Sequence, residues 1–142
     1  MDIVKLSVYA LVFNEKGEVL LQKRANTRFA SGWWSLPGGH VESGEALSRA
    51  LERELYEECA LSVQPDFCSL KLTLVRRPDE GTRYVNFFYR IEKWEGTPII
   101  ADGKASELAF YSPSGLPEII LPHIKEALFL IEKGVHFHEA ER

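Results

Sequence analysis

The chain has 142 residues, 45% of them hydrophobic and 11% aromatic, which suits a single domain over residues 1–142 and excludes a disordered composition. Seventeen basic residues against 21 acidic ones leave a net charge of −4, which argues against a protein held to long nucleic acid by a basic surface. It leaves a nucleotide open as substrate, because a metal ion can supply positive charge locally.

Residues 3–13 are apolar and rich in strand formers. The turn Asn14-Glu15-Lys16-Gly17 follows, then a second such run over 18–24, and the pair predicts a hairpin. A turn, not a small-residue cleavage site, ends the first run, so it reads as a strand rather than a signal peptide. No apolar run nears the roughly 18 residues of a membrane span. Residues 25–32 are polar and small and read as a loop. Trp33 to Leu36 is a short strand ended by Pro37-Gly38-Gly39, and helical periodicity runs from Glu45 to Cys59. Residues 67–76 and 82–93 form a second predicted hairpin about Pro78-Asp79-Glu80-Gly81. A loop over 96–106 precedes a strand over 107–111. Residues 122–133 form a second helix, with Pro122 at its start and Gly134 just past its end. The tail 135–142 is predicted to be loose. Strands, helix, strands and helix in that order predict an α+β fold, an α/β/α sandwich with a mixed sheet between helices. Cys59 and Cys68 form neither a CxxC pair nor a disulfide framework, and read as reduced thiols of a cytoplasmic protein.

The first helix carries the main chemical signal. At about 100° per residue, Leu47, Ala50, Leu51 and Leu55 form one apolar stripe. Glu54 and Glu58 fall within that stripe and Glu57 at its edge, whereas Glu45, Arg49, Glu52 and Arg53 fall on the far side. A solvated charge run belongs opposite the leucines. Carboxylates beside a core are costly without a partner and raise one another's pKa. No basic residue falls on their face of the helix, so a divalent cation is the economical partner, and oxygen donors in this number suit Mg²⁺ or Mn²⁺. The alternative is that the helix end protrudes, leaving Glu57 and Glu58 in water. Gly38 and Gly39, just upstream, would let backbone approach a ligand closely. A main-chain carbonyl there could complete a metal shell.

Gly39, five residues, Glu45, seven residues, Arg53-Glu54-Leu55, one residue, Glu57-Glu58, one residue, Ala60 and Leu61: this resembles the Nudix box, the signature of the Nudix hydrolases and their MutT-like members. The departure is Ala60, where the family has a helix-ending glycine. An alanine there is expected to cost helix-end stability or shift the exit path. The resemblance implies a hydrolase of a nucleoside diphosphate linked to another group, with Mg²⁺ or Mn²⁺ held by the Gly38 carbonyl, Glu54, Glu57 and Glu58. Glu54 is the first choice for the base that takes a proton from water. Arg53 and Glu45 would give structural support, Arg53 by holding a glutamate in an ion pair. Glu107 is the rival base or an added ligand, or else an exposed glutamate at a strand start. Arg24 resembles a phosphate-contacting position, and His40 could touch phosphate; both are also ordinary surface residue types.

Trp33 and Trp34 face opposite ways on a strand, so one is expected in the core. His136 and His138 lack a third ligand nearby and are not read as a metal site. The expected reaction is hydrolysis of a nucleoside or deoxynucleoside triphosphate to monophosphate and pyrophosphate. ADP-ribose, a nucleotide sugar or a dinucleoside polyphosphate is the alternative substrate, and a non-catalytic nucleotide sensor the alternative class. The partner is a small nucleotide, with no long nucleic acid and no membrane, and the chain is expected to be a monomer or homodimer.

Overall fold

A computed structural model describes residues 1–140. The strands are β1 (Ile3–Leu11), β2 (Val19–Arg24), β3 (Trp34–Ser35), β4 (Gly38–His40), β5 (Ser62–Val63), β6 (Cys68–Asp79), β7 (Thr82–Ile91), β8 (Trp94–Glu95), β9 (Ala105–Tyr111) and β10 (Phe137–Glu139). The helices are α1 (Leu47–Cys59) and α2 (Pro122–Glu132), with a 3₁₀ turn over Pro65–Phe67. A mixed sheet has the order β10-β6-β7-β1-β4, a second the order β3-β2-β9, and β5 pairs with β8. Among the described residues no helix is long and apolar enough to cross a membrane.

Alternation along the strands builds two cores, one under each helix. Val8, Ala10, Val12 and Leu20 pack with Ala50, Leu51, Leu55 and Cys59 of α1. Leu11, Val19, Leu21, Leu72, Leu74 and Phe88 pack with Ile124, Ala127 and Leu128 of α2. The period of two sends successive side chains to opposite faces, so the strands are sandwiched between the helices as the element order predicts.

Three local expectations need correction. The first predicted hairpin exists only near its tip, through Asn14 N–H to Glu18 O at 2.9 Å, Leu20 N–H to Val12 O at 2.9 Å and the Phe13–Val19 bridge. Beyond it β1 joins β7 and β4, while β2 joins β3 and β9. β1 finds a nine-residue parallel partner in β7, a long-range pairing that no local pattern discloses. Gly38–His40 is not merely the end of a turn but a strand, antiparallel to β1 with Gly38 opposite Tyr9. The tail is not loose through residue 139: β10 runs parallel to β6, with Phe137 opposite Thr73, and so covers an open sheet edge. Glu141 and Arg142 lie outside the described residues.

The end of α1 resolves the departure at Ala60. Ala60 adopts the left-handed conformation, φ 58° and ψ 29°. Its N–H bonds Tyr56 O at 3.0 Å, and the Leu61 N–H bonds Leu55 O at 3.3 Å. The alanine therefore keeps the exit path a glycine would give, at a steric cost of about 1 kcal/mol.

Candidate active site

α1 lies against β4, and the two glycines of β4 explain how closely. A Cβ on Gly39 would sit 2.7 Å from the Glu54 carboxylate carbon and from one of its oxygens. A Cβ on Gly38, whose φ is +155°, would collide with the Val8 carbonyl oxygen. The missing side chains thus let a carboxylate of α1 rest against strand backbone.

The three glutamates differ in surroundings. Glu58 is buried, at 8% exposure. One carboxylate oxygen accepts a hydrogen bond from the Gln22 side-chain amide. The other is buried with no partner. Burial, then the neighbouring Glu54 carboxylate, push Glu58 well above the usual carboxylate range, while Gln22 and the Gly38 backbone pull the other way. Glu54 is mostly buried, and its Oε1 receives Arg53 Nη1 at 2.8 Å. Glu57 keeps 51% of its side chain exposed and lies 3.4 Å from the same guanidinium nitrogen.

Arg53 corrects the expectation that no cation reaches this face. Its long side chain curls back, although its Cα starts on the far side. Nε donates to Glu45 Oε2 at 2.8 Å, Nη2 to Glu45 Oε1 at 3.0 Å and Nη2 to the His40 carbonyl at 3.1 Å. Glu45 also accepts the Glu42 backbone N–H at 3.0 Å. The Arg53 bonds, with this backbone bond second, lower the Glu45 pKa to about 2. Arg53 therefore ties helix start, β4 and two of the glutamates into one unit. It does not reach Glu58.

Among the described residues no three His, Cys, Asp or Glu side chains are already gathered as a metal shell; Arg53 holds Glu54 and Glu57 instead. The donors nevertheless fit a hard cation. An unpartnered buried carboxylate oxygen beside a second carboxylate is costly as it stands, and a divalent ion would relieve both the desolvation and the repulsion.

Glu58 opens onto a cleft of about 250 Å³ whose far wall is basic and aromatic. Arg24, Arg76 and Lys104 supply positive charge there, and Tyr9, Tyr84 and His123 the rings. Arg76 lies 4.8 Å over the Tyr84 ring and donates to Asn86 Oδ1 at 2.9 Å. Asn86 is fully buried and its Nδ2 has no partner; neither has His123 Nε2. Burial first, then Arg76 and Arg24, lower the His123 pKa to about 3, so this ring is neutral at physiological pH. Larger cavities lie elsewhere, but this one gathers carboxylates and guanidinium groups across a gap of ligand width.

The remaining sequence candidates divide. Arg24 and His40 line the cleft. Arg24 also donates to the Phe29 carbonyl at 3.2 Å. Glu107 does not join them. It pairs across strands with Lys23, at 3.3 Å, and is 57% exposed. Lys23 follows Gln22, the partner of Glu58, so Glu107 lies on the α2 face of the sheet and not beside α1. Asp102 is the loop acid that lines the cleft with Glu58. The Ala101 N–H, donating to Glu58 O at 3.0 Å, anchors that loop to the end of α1. Sequence reasoning missed Asp102, although the short Asp102-Gly103-Lys104 run was a usable sign of a tight charged turn. It also missed Tyr9, Asn86, Arg76 and His123, which come from separate elements. Trp34 is in the core and Trp33 is 38% exposed.

The NUDIX domain profile matches residues 4–129. The human 8-oxo-dGDP phosphatase NUDT18 is 31% identical over 138 residues, covering 95% of this chain and 40% of that protein. The chain thus spans about two fifths of that relative's length. The Escherichia coli 8-oxo-dGTP diphosphatase is 31% identical over 98 residues, 68% of this chain and 73% of that one. Among solved structures, a MutT NUDIX hydrolase from Burkholderia pseudomallei superposes with a TM-score of 0.78 at 25% identity, covering 90% of this chain and 98% of that one. With its two-helix mixed-sheet fold and a profile match over nearly its whole length, the chain belongs to the Nudix family.

Proposed function

We propose that this protein is a pyrophosphohydrolase that cleaves a phosphoric anhydride in a nucleotide, with a nucleoside or deoxynucleoside triphosphate giving monophosphate and pyrophosphate as the first substrate class. The observation that carries this reading is the buried Glu58 carboxylate, one oxygen unpartnered, beside Glu54 and across a cleft from Arg24, Arg76 and Lys104. The names of the relatives, an 8-oxo-dGDP phosphatase and an 8-oxo-dGTP diphosphatase, favour an oxidised purine nucleotide in the panel.

Glu54, Glu57, Glu58 and the Gly38 carbonyl would hold the divalent cation, Mg²⁺ with Mn²⁺ as substitute; when bound, it neutralises phosphate oxygens and acidifies a water molecule. The chain's own residues do the rest. Arg24 and Lys104 bind phosphate oxygens, with Arg24 offering a planar fork that matches them. His40, beside the glycines, contacts the same phosphates. Glu54 accepts the proton of the attacking water, whose oxygen bonds to phosphorus as the bridging oxygen leaves with pyrophosphate. Arg53 and Glu45 hold Glu54 in place. Glu107 sits on the wrong face for the base, and Asp102 takes the place of the second acid. Most of the rate would come from positioning and charge neutralisation.

The test is hydrolysis of a panel of canonical and 8-oxo triphosphates and diphosphates, ADP-ribose, sugar nucleotides and dinucleoside polyphosphates with Mg²⁺, products resolved by ion exchange. Pyrophosphate release from a triphosphate, abolished by chelation and in Glu57→Gln, is the expected result. Turnover confined to ADP-ribose or a sugar nucleotide would keep the mechanism and replace the substrate. Binding of nucleotides with no turnover of any would favour the sensor alternative.

A further inference from the structure

A second cavity, of about 450 Å³, lies at the other end of the molecule, between the C-terminal end of α2 and strands β6 and β7. None of its lining residues lines the catalytic cleft. Its walls are Leu11, Phe13, Leu128, Ile131 and Val135. Lys71 and Arg90 stand at its rim, with Glu132 the acid among the lining residues. The apolar hollow thus has two cations, Lys71 and Arg90, and one acid, Glu132, in its lining, with Glu92 beside Arg90 outside it.

The hollow is held open. After α2, Gly134 turns the chain in the left-handed region, φ +77°. The Val135 N–H is fixed to Leu130 O at 3.0 Å, and His136 O accepts the Thr73 N–H at 2.9 Å. β10 then zips onto β6, ending with the Ala140 N–H on Val75 O at 2.8 Å. The strap over residues 134–136 is therefore pinned at both ends and cannot sink into the gap, which close packing otherwise favours. The Arg90 guanidinium carbon stacks 4.7 Å over the Phe13 ring. Its nearest acid, Glu92, stands 3.8 Å away, beyond hydrogen-bond length, so Arg90 keeps donors for a ligand. A neighbouring cavity of about 640 Å³ shares Phe13 and Arg90 as its wall, which gives the ligand a solvent-side exit for a polar group.

We propose that this cavity is a second, non-catalytic binding site for a small organic acid with an apolar or aromatic body, the body lodged among Leu11, Leu128, Ile131 and Val135 and the acid group on Arg90 and Lys71. Its size and its mostly apolar wall with a few convergent polar groups are those of small-molecule sites, about 300–1,000 Å³. Burying the body gains by area, and the charge-assisted contacts fix its orientation.

The test uses the full chain and 1-anilinonaphthalene-8-sulfonate as probe, followed by fluorescence, beside the uncharged N-phenyl-1-naphthylamine. The sulfonate is expected to bind once per chain, at least about tenfold more tightly than the neutral probe, a ratio worth one charge-assisted contact. Arg90→Glu removes that preference and leaves the neutral probe's affinity unchanged. Val135→Trp, which fills the hollow, abolishes binding of both, and nucleotide binding does not displace the probe. Melting temperature checks that each variant is folded, and Arg90→Glu, a rim change, serves if Val135→Trp does not fold. Absence of saturable binding, binding indifferent to Arg90→Glu, or displacement of the probe by a nucleotide would each overturn the proposal.

Discussion

The two walls of the candidate cleft are assembled in opposite ways. The acidic wall is nearly continuous in sequence: Gly38, Gly39 and Glu58 line the cleft, and Glu54, packed against Gly39, stands behind them with Arg53 and Glu57, all on one helix and one short strand. The basic and aromatic wall draws Tyr9 from β1, Arg24 from β2, Arg76 and Tyr84 from the β6–β7 hairpin, Lys104 from a loop and His123 from α2. The first wall is fixed by helix periodicity and backbone approach, which are local. The second depends on parallel pairing of β1 with β7 and on docking of α2, which are long-range. On the proposed function, the chemistry of bond cleavage would sit in a local motif, and recognition of the rest of the substrate in the tertiary fold.

Substitutions on the two walls should separate accordingly. The largest effect is expected for Glu54→Gln, which keeps shape and removes the base: kcat falls by about 10²–10⁴-fold with KM and melting temperature little changed. Gly39→Ala comes next. Its Cβ would overlap the Glu54 carboxylate, and displacement of a reacting group by an ångström costs about 10²-fold in rate. Steady-state kinetics beside circular dichroism would show lost rate without lost fold. On the other wall Arg76, whose guanidinium lines the cleft, is taken to make one charged contact with substrate, and Arg76→Ala is expected to raise KM by about ten- to a hundredfold while kcat stays within a few-fold.

The His123 prediction concerns stability. Its folded pKa of about 3 lies below the ordinary 6.5. The unfolded chain therefore takes up the proton first, so stability is level above about pH 6.5 and falls as pH drops toward 3. His123→Gln should flatten the decline between about pH 6.5 and 5, above the range where ordinary carboxylates titrate, as read from urea midpoints. The smallest effect is Ala60→Gly, which relieves the left-handed alanine and should raise stability by about 0.5–1 kcal/mol without changing turnover.

The same contrast decides what was legible in the sequence. Glu54 and Glu58 could be placed beside the core because a helix repeats every 3.6 residues, and Gly39 because its spacing from Glu45 and Arg53 is fixed in the motif. Arg53 was harder: periodicity locates a Cα, and a long side chain can turn to the other face. Glu107 was the misleading candidate. Its position on β9 is as expected, but strand alternation relative to Gln22 sends it to the α2 side, and that phase is set by the pairing of β9 with β2. Asn86 and His123 carry no local pattern that separates them from other polar residues, and Asp102 only the sign of a charged turn. The β1–β2 hairpin and the tail failed for the same reason, since both strands find their partners far away in sequence.

The division of labour between the walls is tested most directly by measuring kcat and KM for Glu58→Gln and Arg76→Ala side by side on the best triphosphate substrate with Mg²⁺. Glu58→Gln is expected to lose kcat by about 10²-fold or more with KM nearly unchanged, and Arg76→Ala to lose affinity while keeping kcat. A Glu58→Gln protein that turns over at the wild-type rate would contradict the account, because the buried, half-partnered carboxylate would then have no part in the reaction.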